Sequence, residues 1–330
     1  MLNSNVVQLL KECKNLLAFS AGVDSSALFL ILLKEQINFD IAIVNYNLRE
    51  QAKDEELYAK ELAKKYKKKI FIANAPKFDS NFEANAREFR YNFFKEIISK
   101  HNYANLLTAH QLNDKLEWFL MRFSKGAGVS ELSGMSEISF KDGYNIIRPL
   151  LNYTKSELLE LLEKESFKYF IDSSNFNKKY ERNRFRPIVN ELLNGKKSGF
   201  LKSFEILQNE QKLINLSCQK VFKKNLLLVA KIDCKNFINN CISKYLKELG
   251  YLITKKDREL FKDLKSAVVG RKWAIEIEDN FLYIAPYIKV PLSKEFKERC
   301  RKAKIPPKVR GYIFKCGFDI YEIRERLLGG

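Results

Sequence analysis

Strand-like and helix-like runs alternate from Leu16 to Ala109, and this alternation constrains the fold more than any other feature of the chain. Leu16–Ser20, Asp40–Tyr46 ("DIAIVNY"), Lys69–Ala73 ("KIFIA") and Ala104–Ala109 ("ANLLTA") read as strands. Ser25–Glu35, Asp54–Lys68 and Phe82–Lys100 read as the helices between them. A strand that returns through a helix pairs with the next strand in parallel, and its helices cover both faces of the sheet. The expectation is an α/β fold, a Rossmann-like doubly wound parallel sheet, with ligands at the carboxyl ends of its strands.

From Lys155 the pattern turns helical, first in "TKSELLELLEKESF" and then, past a polar segment, in Phe200–Asn215. A helical part through Lys265 is expected next, followed by the strand-like runs "RKWAIEIED" and "NFLYIAPYI" and a basic stretch, "KERCRKAKIPPKVRGYIFK". The expected division is a first domain over 1–205, with a helical extension over about 150–205, and a small basic α+β domain over 206–330. Charge follows the same division. Residues 1–200 carry a net +6 and residues 201–330 a net +13, out of +19 for the chain. A basic surface of that size suits a polyanion, nucleic acid above all; the plain alternative is a Lys-rich bias with evenly solvated charge. The run Lys64-Lys65-Tyr66-Lys67-Lys68-Lys69 closes a helix, where lysine suits the dipole, and reads as structural.

The longest apolar run, Ala27–Leu33, is too short to span a bilayer, and the first residues have neither a basic start nor a long apolar core. A soluble cytoplasmic protein is expected, with no membrane partner; a homodimer is left open. The six cysteines, Cys13, Cys218, Cys234, Cys241, Cys300 and Cys316, include no C-x-x-C pair. They read as free thiols, and with only His101 and His110 beside them they suggest no metal site.

The first strand ends in Ser20-Ala21-Gly22-Val23-Asp24-Ser25-Ser26 and a helix follows. Helix N-termini carry unpaired N–H groups and partial positive charge, so such a turn is built for phosphate. Gly22 lets the backbone approach a ligand. Ser20, Ser25 and Ser26 add hydroxyl donors, and Asp24 can hold Mg²⁺. No G-K-[ST] is present, so the turn is not the loop that grips phosphates with its own lysine. It suits a pyrophosphate leaving group, with attack at the α-phosphate. The plain alternative is a tight turn with a helix cap.

The turn resembles the PP-loop of the ATP pyrophosphatase family, S-G-G-x-D-S, with Ala21 in place of the first glycine. That replacement is expected to be tolerated at a negative φ. Further stretches resemble the tRNA(Ile)-lysidine synthetase family. "IVNYNLRE" keeps Asn45, Leu48 and Arg49 of V-N-H-x-L-R, with Tyr46 for His. "NFEANAREFRYNFF" matches at Asn81, Glu83, Ala86, Arg87, Arg90, Tyr91 and Phe93. "TAHQLNDKLEW" keeps Thr108, Ala109, His110, Asp114 and Glu117 of T-A-H-H-x-D-D-Q-x-E-T, with Gln111, Asn113 and Lys115 as departures. "GAGVSELSGM", "IIRPLL" and "IDSSNFNKKYERNRFRPIV" continue the similarity to about residue 195. It weakens after 210, where "KIPPKVRGYI" is faintly similar to the end of longer members.

The resemblance implies a reaction in which ATP adenylates the C2 oxygen of the wobble cytidine of an isoleucine tRNA with release of pyrophosphate, and the amine of L-lysine then attacks C2 and releases AMP. It implies ATP at Ser20–Ser26 and Asn45, Mg²⁺ at Asp24 and Asp114, and the anticodon loop as partner. Helical spacing would place His110, Asp114 and Glu117 on one face, looking towards the turn. Asp114 is the prime catalytic candidate, as a Mg²⁺ ligand or as the group that holds the lysine ammonium and takes up its proton. Asp24, His110 and Glu117 complete the catalytic set; the alternative for Asp114 is a capping carboxylate. Arg87, Arg90, Arg182, Asn183, Arg184 and Arg186 are candidates for phosphate or base contacts, against a local Glu83–Arg87 ion pair and a solvated charge run. Two other readings stay open: an AMP-forming tRNA thiolase, which the missing C-x-x-C disfavours, and a catalytically degenerate RNA-binding relative.

Overall fold

The computed structural model describes residues 2–47, 51–78, 80–171, 181–261 and 265–328. The chain forms two compact units, 1–118 with 135–201 and 119–134 with 202–330. The contiguous division expected at 205/206 therefore misses one excursion, residues 119–134. Its contacts within the second unit explain it: buried Glu131 pairs with Arg258 at 3.2 Å, Arg122 donates to the Ile253 carbonyl, and Phe119 meets Phe204 edge to face.

The elements up to the second sheet are α1 (Ser4–Glu12), β1 (Asn15–Phe19), α2 (Val23–Lys34), β2 (Phe39–Asn45), α3 (Gln51–Lys65), β3 (Ile70–Asn74), α4 (Phe82–His101), β4 (Asn105–Leu107), α5 (Leu112–Phe123), α6 (Val129–Leu132), β5 (Ile138–Lys141), β6 (Tyr144–Ile147), α7 (Lys155–Lys164), α8 (Glu181–Leu193) and α9 (Lys197–Leu216). The first unit holds a sheet in the order β3-β2-β1-β4-β6-β5. Its strands are parallel except β5, which turns back on β6. The hairpin β5–β6 was not read from the sequence. Its turn is Asp142-Gly143, both at positive φ, a turn residue pair that favours two-residue hairpins.

Strand alternation sends Leu17, Phe19, Ile41, Ile43 and Leu107 to one face, with α2 and α7. It sends Leu16, Ala42, Leu106 and Ile146 to the other, with Phe94 and Ile97 of α4. Both faces are buried, so the central strands are apolar throughout. At the amino ends, buried asparagines tie three strands together: Asn105 donates to Asn15 at 2.9 Å and Asn145 to Asn105 at 3.0 Å. The chain leaves β1 for β2 and β3 on one side and returns to β4 on the other. The crevice beyond the carboxyl ends of β1 and β4 is thus the topological switch point.

The second unit adds β7 (Cys218–Lys224), β8 (Leu227–Ile232), α10 (Ile238–Glu248), α11 (Lys255–Glu259), β9 (Ser266–Val269), β10 (Trp273–Glu278), β11 (Phe281–Pro286), α12 (Lys294–Lys302), α13 (Arg310–Lys315) and α14 (Ile320–Leu328). Its sheet runs β7-β8-β11-β10-β9, antiparallel throughout. The helical reading through Lys265 is corrected here, because 218–232 is a hairpin. In β8, Leu228 and Ala230 face α10 while Leu227 and Val229 face the helices after β11. A strand covered on both sides loses the alternation by which it is recognised. Gly311 of α13 lies so close to the β11 side that an added Cβ would stand 2.0 Å from the Ile288 carbonyl oxygen. Among the described residues no helix is long and apolar enough to cross a membrane.

Candidate functional site

The turn after β1 is tied by its own serines. Ser25 Oγ donates to the Gly22 carbonyl at 3.1 Å and accepts from the Ser20 N–H at 3.2 Å. Ser26 Oγ donates to the Ala21 carbonyl at 3.3 Å. Ser25 and Ser26 are buried, so Ser26, expected as a ligand donor, is a brace for the loop. The exposed Ser20 hydroxyl, 3.1 Å from Ser25 Oγ, remains at the surface of the turn. Gly22 caps α2 with extended backbone and no side-chain bond, which leaves the first N–H groups of the helix for a ligand. Ala21 is a correction. It has φ +55, not the negative φ expected, and is fully buried. A left-handed alanine costs on the order of 1 kcal/mol, and the turn is held there by the Phe170 N–H, which donates to the Ala21 carbonyl at 2.9 Å.

The turn after β4 supplies the second wall. α5 begins at Leu112, so His110 precedes the helix and is not one turn back on its face. The backbone turns because Asp114 Oδ2 accepts from the Gln111 N–H at 2.8 Å and Gln111 Oε1 accepts from the Asn113 N–H. Asp114 is therefore a capping carboxylate as well as a cavity residue. Its other oxygen takes Arg182 Nη2 of α8. Arg182 Nε pairs with buried Glu117, which Arg186 also approaches at 3.4 Å. His110 lies 3.0 Å from Thr108 Oγ1 through Nδ1. Burial pushes its pKa down to about 4, with Arg148, Arg182 and Arg87 acting the same way against Asp114, so it is neutral at pH 7.

These walls enclose a cavity of about 350 Å³. The turn after β1 contributes Ser20, Gly22, Val23, Asp24 and Ser25, and the turn after β4 contributes His110, Asp114 and Glu117. Arg90, Arg182 and Arg186 also line it. Ala21, Ser26, Asn45, Arg87, Asn183 and Arg184 do not. Asn45 is a correction to the expected ATP set: it is buried at the end of β2, donates to Glu56 at 3.0 Å and accepts from the Asn47 N–H at 2.8 Å. Arg87 lies 4.8 Å from the centre of the Tyr91 ring, with no Glu83–Arg87 ion pair among the described residues. Leu48, Arg49 and the Asp172-Ser173-Ser174-Asn175 stretch lie outside the described residues.

Sequence reading missed Lys155, Asn190 and the amide chemistry of Asn113. Asn113 Nδ2 donates to Asn190 Oδ1 at 2.7 Å, and its Oδ1 accepts from the Lys155 N–H at 3.1 Å. An amide can serve both bonds at once, which accounts physically for asparagine where the resembling motif has aspartate. Tyr46, another departure, donates to the Ala86 carbonyl at 3.2 Å and rests edge to face on Phe82.

Asp24 is the electrostatic anomaly of the cavity. Its Oδ1 is buried and has no hydrogen-bond partner among the described residues. Burial first, and then the nearby Asp114, push its pKa up to about 7 against the pull of Lys155, Arg182 and Arg186. An ionised carboxylate left in this state calls for a cation. Mg²⁺ fits the need, since it takes one or two carboxylates and fills its shell with phosphate oxygens and water. Among the described residues no group of three or more His, Cys, Asp or Glu stands together as a ready-made metal site.

Comparison with known proteins gives a consistent neighbourhood. A family profile described as a PP-loop domain matches residues 2–193. The chain is 43% identical to the tRNA(Ile)-lysidine synthase of Wolinella succinogenes, over 94% of this chain and 95% of that protein. It is 41% identical to the one from Campylobacter jejuni strain RM1221, over 97% and 98%, and 38% identical to the one from Helicobacter pylori strain 26695, over 92% and 90%. Among solved structures it is similar to a U34-tRNA thiolase from Methanococcus maripaludis. That likeness has TM-score 0.51 and 20% identity over 63% of this chain and 76% of the other, and it speaks to the fold alone.

Proposed function

The chain belongs to the tRNA(Ile)-lysidine synthase family of PP-loop proteins, and from that premise we propose that it forms lysidine in isoleucine tRNA by an AMP-forming reaction in the cytoplasm. The observation that carries the reading is Asp24 at the head of α2, whose buried Oδ1 has no hydrogen-bond partner among the described residues, in one cavity with Asp114 and Glu117.

The unpaired N–H groups of α2 and the Ser20 hydroxyl bind the phosphates of ATP, and the loop holds the departing pyrophosphate. Asp24 and Asp114, which line the same cavity, would hold Mg²⁺, which would supply positive charge to neutralise the phosphates. Asp114 and Glu117 already bind a cation, the Arg182 guanidinium. The same carboxylates suit the ammonium of L-lysine. That ammonium must lose a proton before its nitrogen attacks C2 of the activated cytidine, and Asp114 accepts it. His110, neutral and with a low pKa, orients the site through Thr108 and is a poor proton acceptor. Arg90 on the cavity wall faces the tRNA, and the basic second unit supplies phosphate contacts.

Incubation with ATP, labelled lysine and total tRNA tests the reading. Label in isoleucine tRNA, with one AMP formed per lysine incorporated, is expected; sulfur incorporation instead would favour a thiolase, and no turnover at all would favour an RNA-binding relative.

A further inference from the structure

The loop after β1 has no cation of its own, yet a triphosphate brings several negative charges into a cavity that already contains Asp24, Asp114 and Glu117. Four cationic side chains line that cavity. Arg182 and Arg186 are engaged by Asp114 and Glu117, and Arg90 lies over the Tyr91 ring at 5.9 Å. Lys155 is different. It is the first residue of α7, its side chain is half-buried, and it makes no hydrogen bond or ion pair with a described residue.

Its backbone, by contrast, is fixed. Thr154 caps α7, accepting from the Glu157 N–H at 3.3 Å while Glu157 Oε2 accepts from the Thr154 N–H at 2.8 Å. The Lys155 N–H donates to Asn113, in the turn that carries Asp114. Leu112 donates to the Tyr153 carbonyl at 2.8 Å, which ties the same two segments again. The main chain under Lys155 is therefore held rigidly to the turn that carries Asp114, while its side chain lines the cavity without a hydrogen bond or close ion pair among the described residues and its charge reaches Asp24, whose pKa it pulls down. A positioned cation on a cavity wall, with no close ion pair among the described residues, suits an anionic ligand.

We propose that Lys155 is the phosphate-binding cation of this site, contacting the triphosphate of ATP and supplying from α7 the charge that other phosphate loops carry within themselves. Asn113 is the positioning residue that aims it. The proposal rests on the ATP reading of the cavity. It does not depend on which nucleotide or amine receives the activated group.

Binding of ATP and of adenosine, measured by calorimetry on the full chain, separates a phosphate contact from a structural one. Lys155→Gln should weaken ATP about ten-fold or more, the loss of one charge-assisted contact, and leave adenosine unchanged; Lys155→Arg should recover most of the ATP affinity. Equal weakening of ATP and adenosine would make Lys155 a structural residue of α7 and overturn the proposal, as would undiminished ATP affinity in Lys155→Gln. Asn113→Ala offers a second route, since it keeps the lysine and frees its backbone; it should weaken ATP more than adenosine. A wild-type chain that binds no ATP would instead overturn the reading of the cavity itself.

Discussion

One carboxylate from each unit, Glu276 in the second and Asp24 in the first, shows two opposite treatments of a buried oxygen. Glu276, in β10 of the second unit, is 3% exposed and saturated. Its Oε2 accepts from the Lys308 and Val309 N–H groups at 2.6 and 3.2 Å, and its Oε1 accepts from Ser266 Oγ at 2.9 Å. Asp24 of the first unit has a buried oxygen with no hydrogen-bond partner among the described residues and a pKa pushed up to about 7 by burial and by Asp114. Glu276 needs nothing further and works as a clasp between a strand and the loop before α13. Asp24, on the proposed reading, is completed by its ligand. What separates Asp24 from Glu276 is an unpartnered carboxylate oxygen, among the described residues, on the wall of a cavity beside a helix N-terminus.

Asp24→Asn should break this comparison most forcefully. AMP formation should fall by about a hundred-fold or more, the scale of losing a group that stabilises developing charge. Stability should move the other way. Below the ordinary carboxyl value of 3.8 the folded and unfolded chains both hold the proton. As pH rises towards 7 the unfolded chain ionises first, and wild-type stability is lost until the folded carboxyl ionises too. The amide escapes that loss, so the Tm of Asp24→Asn should overtake wild type as pH rises and level off above about 7.

Next in size is Asp114→Asn, expected to lower lysine incorporation by roughly a hundred-fold, within the range of general-base effects. If Asp114 serves the lysine alone, pyrophosphate release continues; if it serves Mg²⁺ as well, both steps fail together. Parallel assays of the two products distinguish these outcomes.

The basic second unit should reveal itself in salt. With a net +13 over residues 201–330, tRNA affinity should fall by about ten-fold or more between 50 and 200 mM salt through counterion release. A flat salt profile in a filter-binding titration would make that charge a compositional bias.

The smallest effect is expected for Glu276→Gln. It weakens two backbone N–H contacts and should cost about 1–3 kcal/mol of stability without changing pyrophosphate release per folded molecule, as chemical denaturation and the assay together would show.

Much of the first unit was legible because its signals are local. A strand, a glycine-containing turn and an apolar helix follow one another within Leu16–Glu35, and the parallel pairing follows from the repeated strand–helix alternation. Asp114 and Glu117 were legible for the same reason. Lys155 was not, because Thr154-Lys155-Ser156 reads as an ordinary helix start and only tertiary contact brings it to Asp24. Asn113 looked like a weakened motif until its amide was seen to serve Asn190 and Lys155 at once. Ala21 misled because the φ of one residue is set by what holds it, here Phe170, some distance along the chain. The hairpin β7–β8 was hidden by burial on both faces, and β5–β6 was readable from Asp142-Gly143 but not read.

The central claim, that the unsatisfied carboxylate at the head of α2 is where ATP is split, is tested most directly by tRNA-dependent pyrophosphate release from Asp24→Asn at pH 8. The account predicts a folded variant, at least as stable as wild type, that binds tRNA and releases almost no pyrophosphate. Release at the wild-type rate by that variant would contradict it.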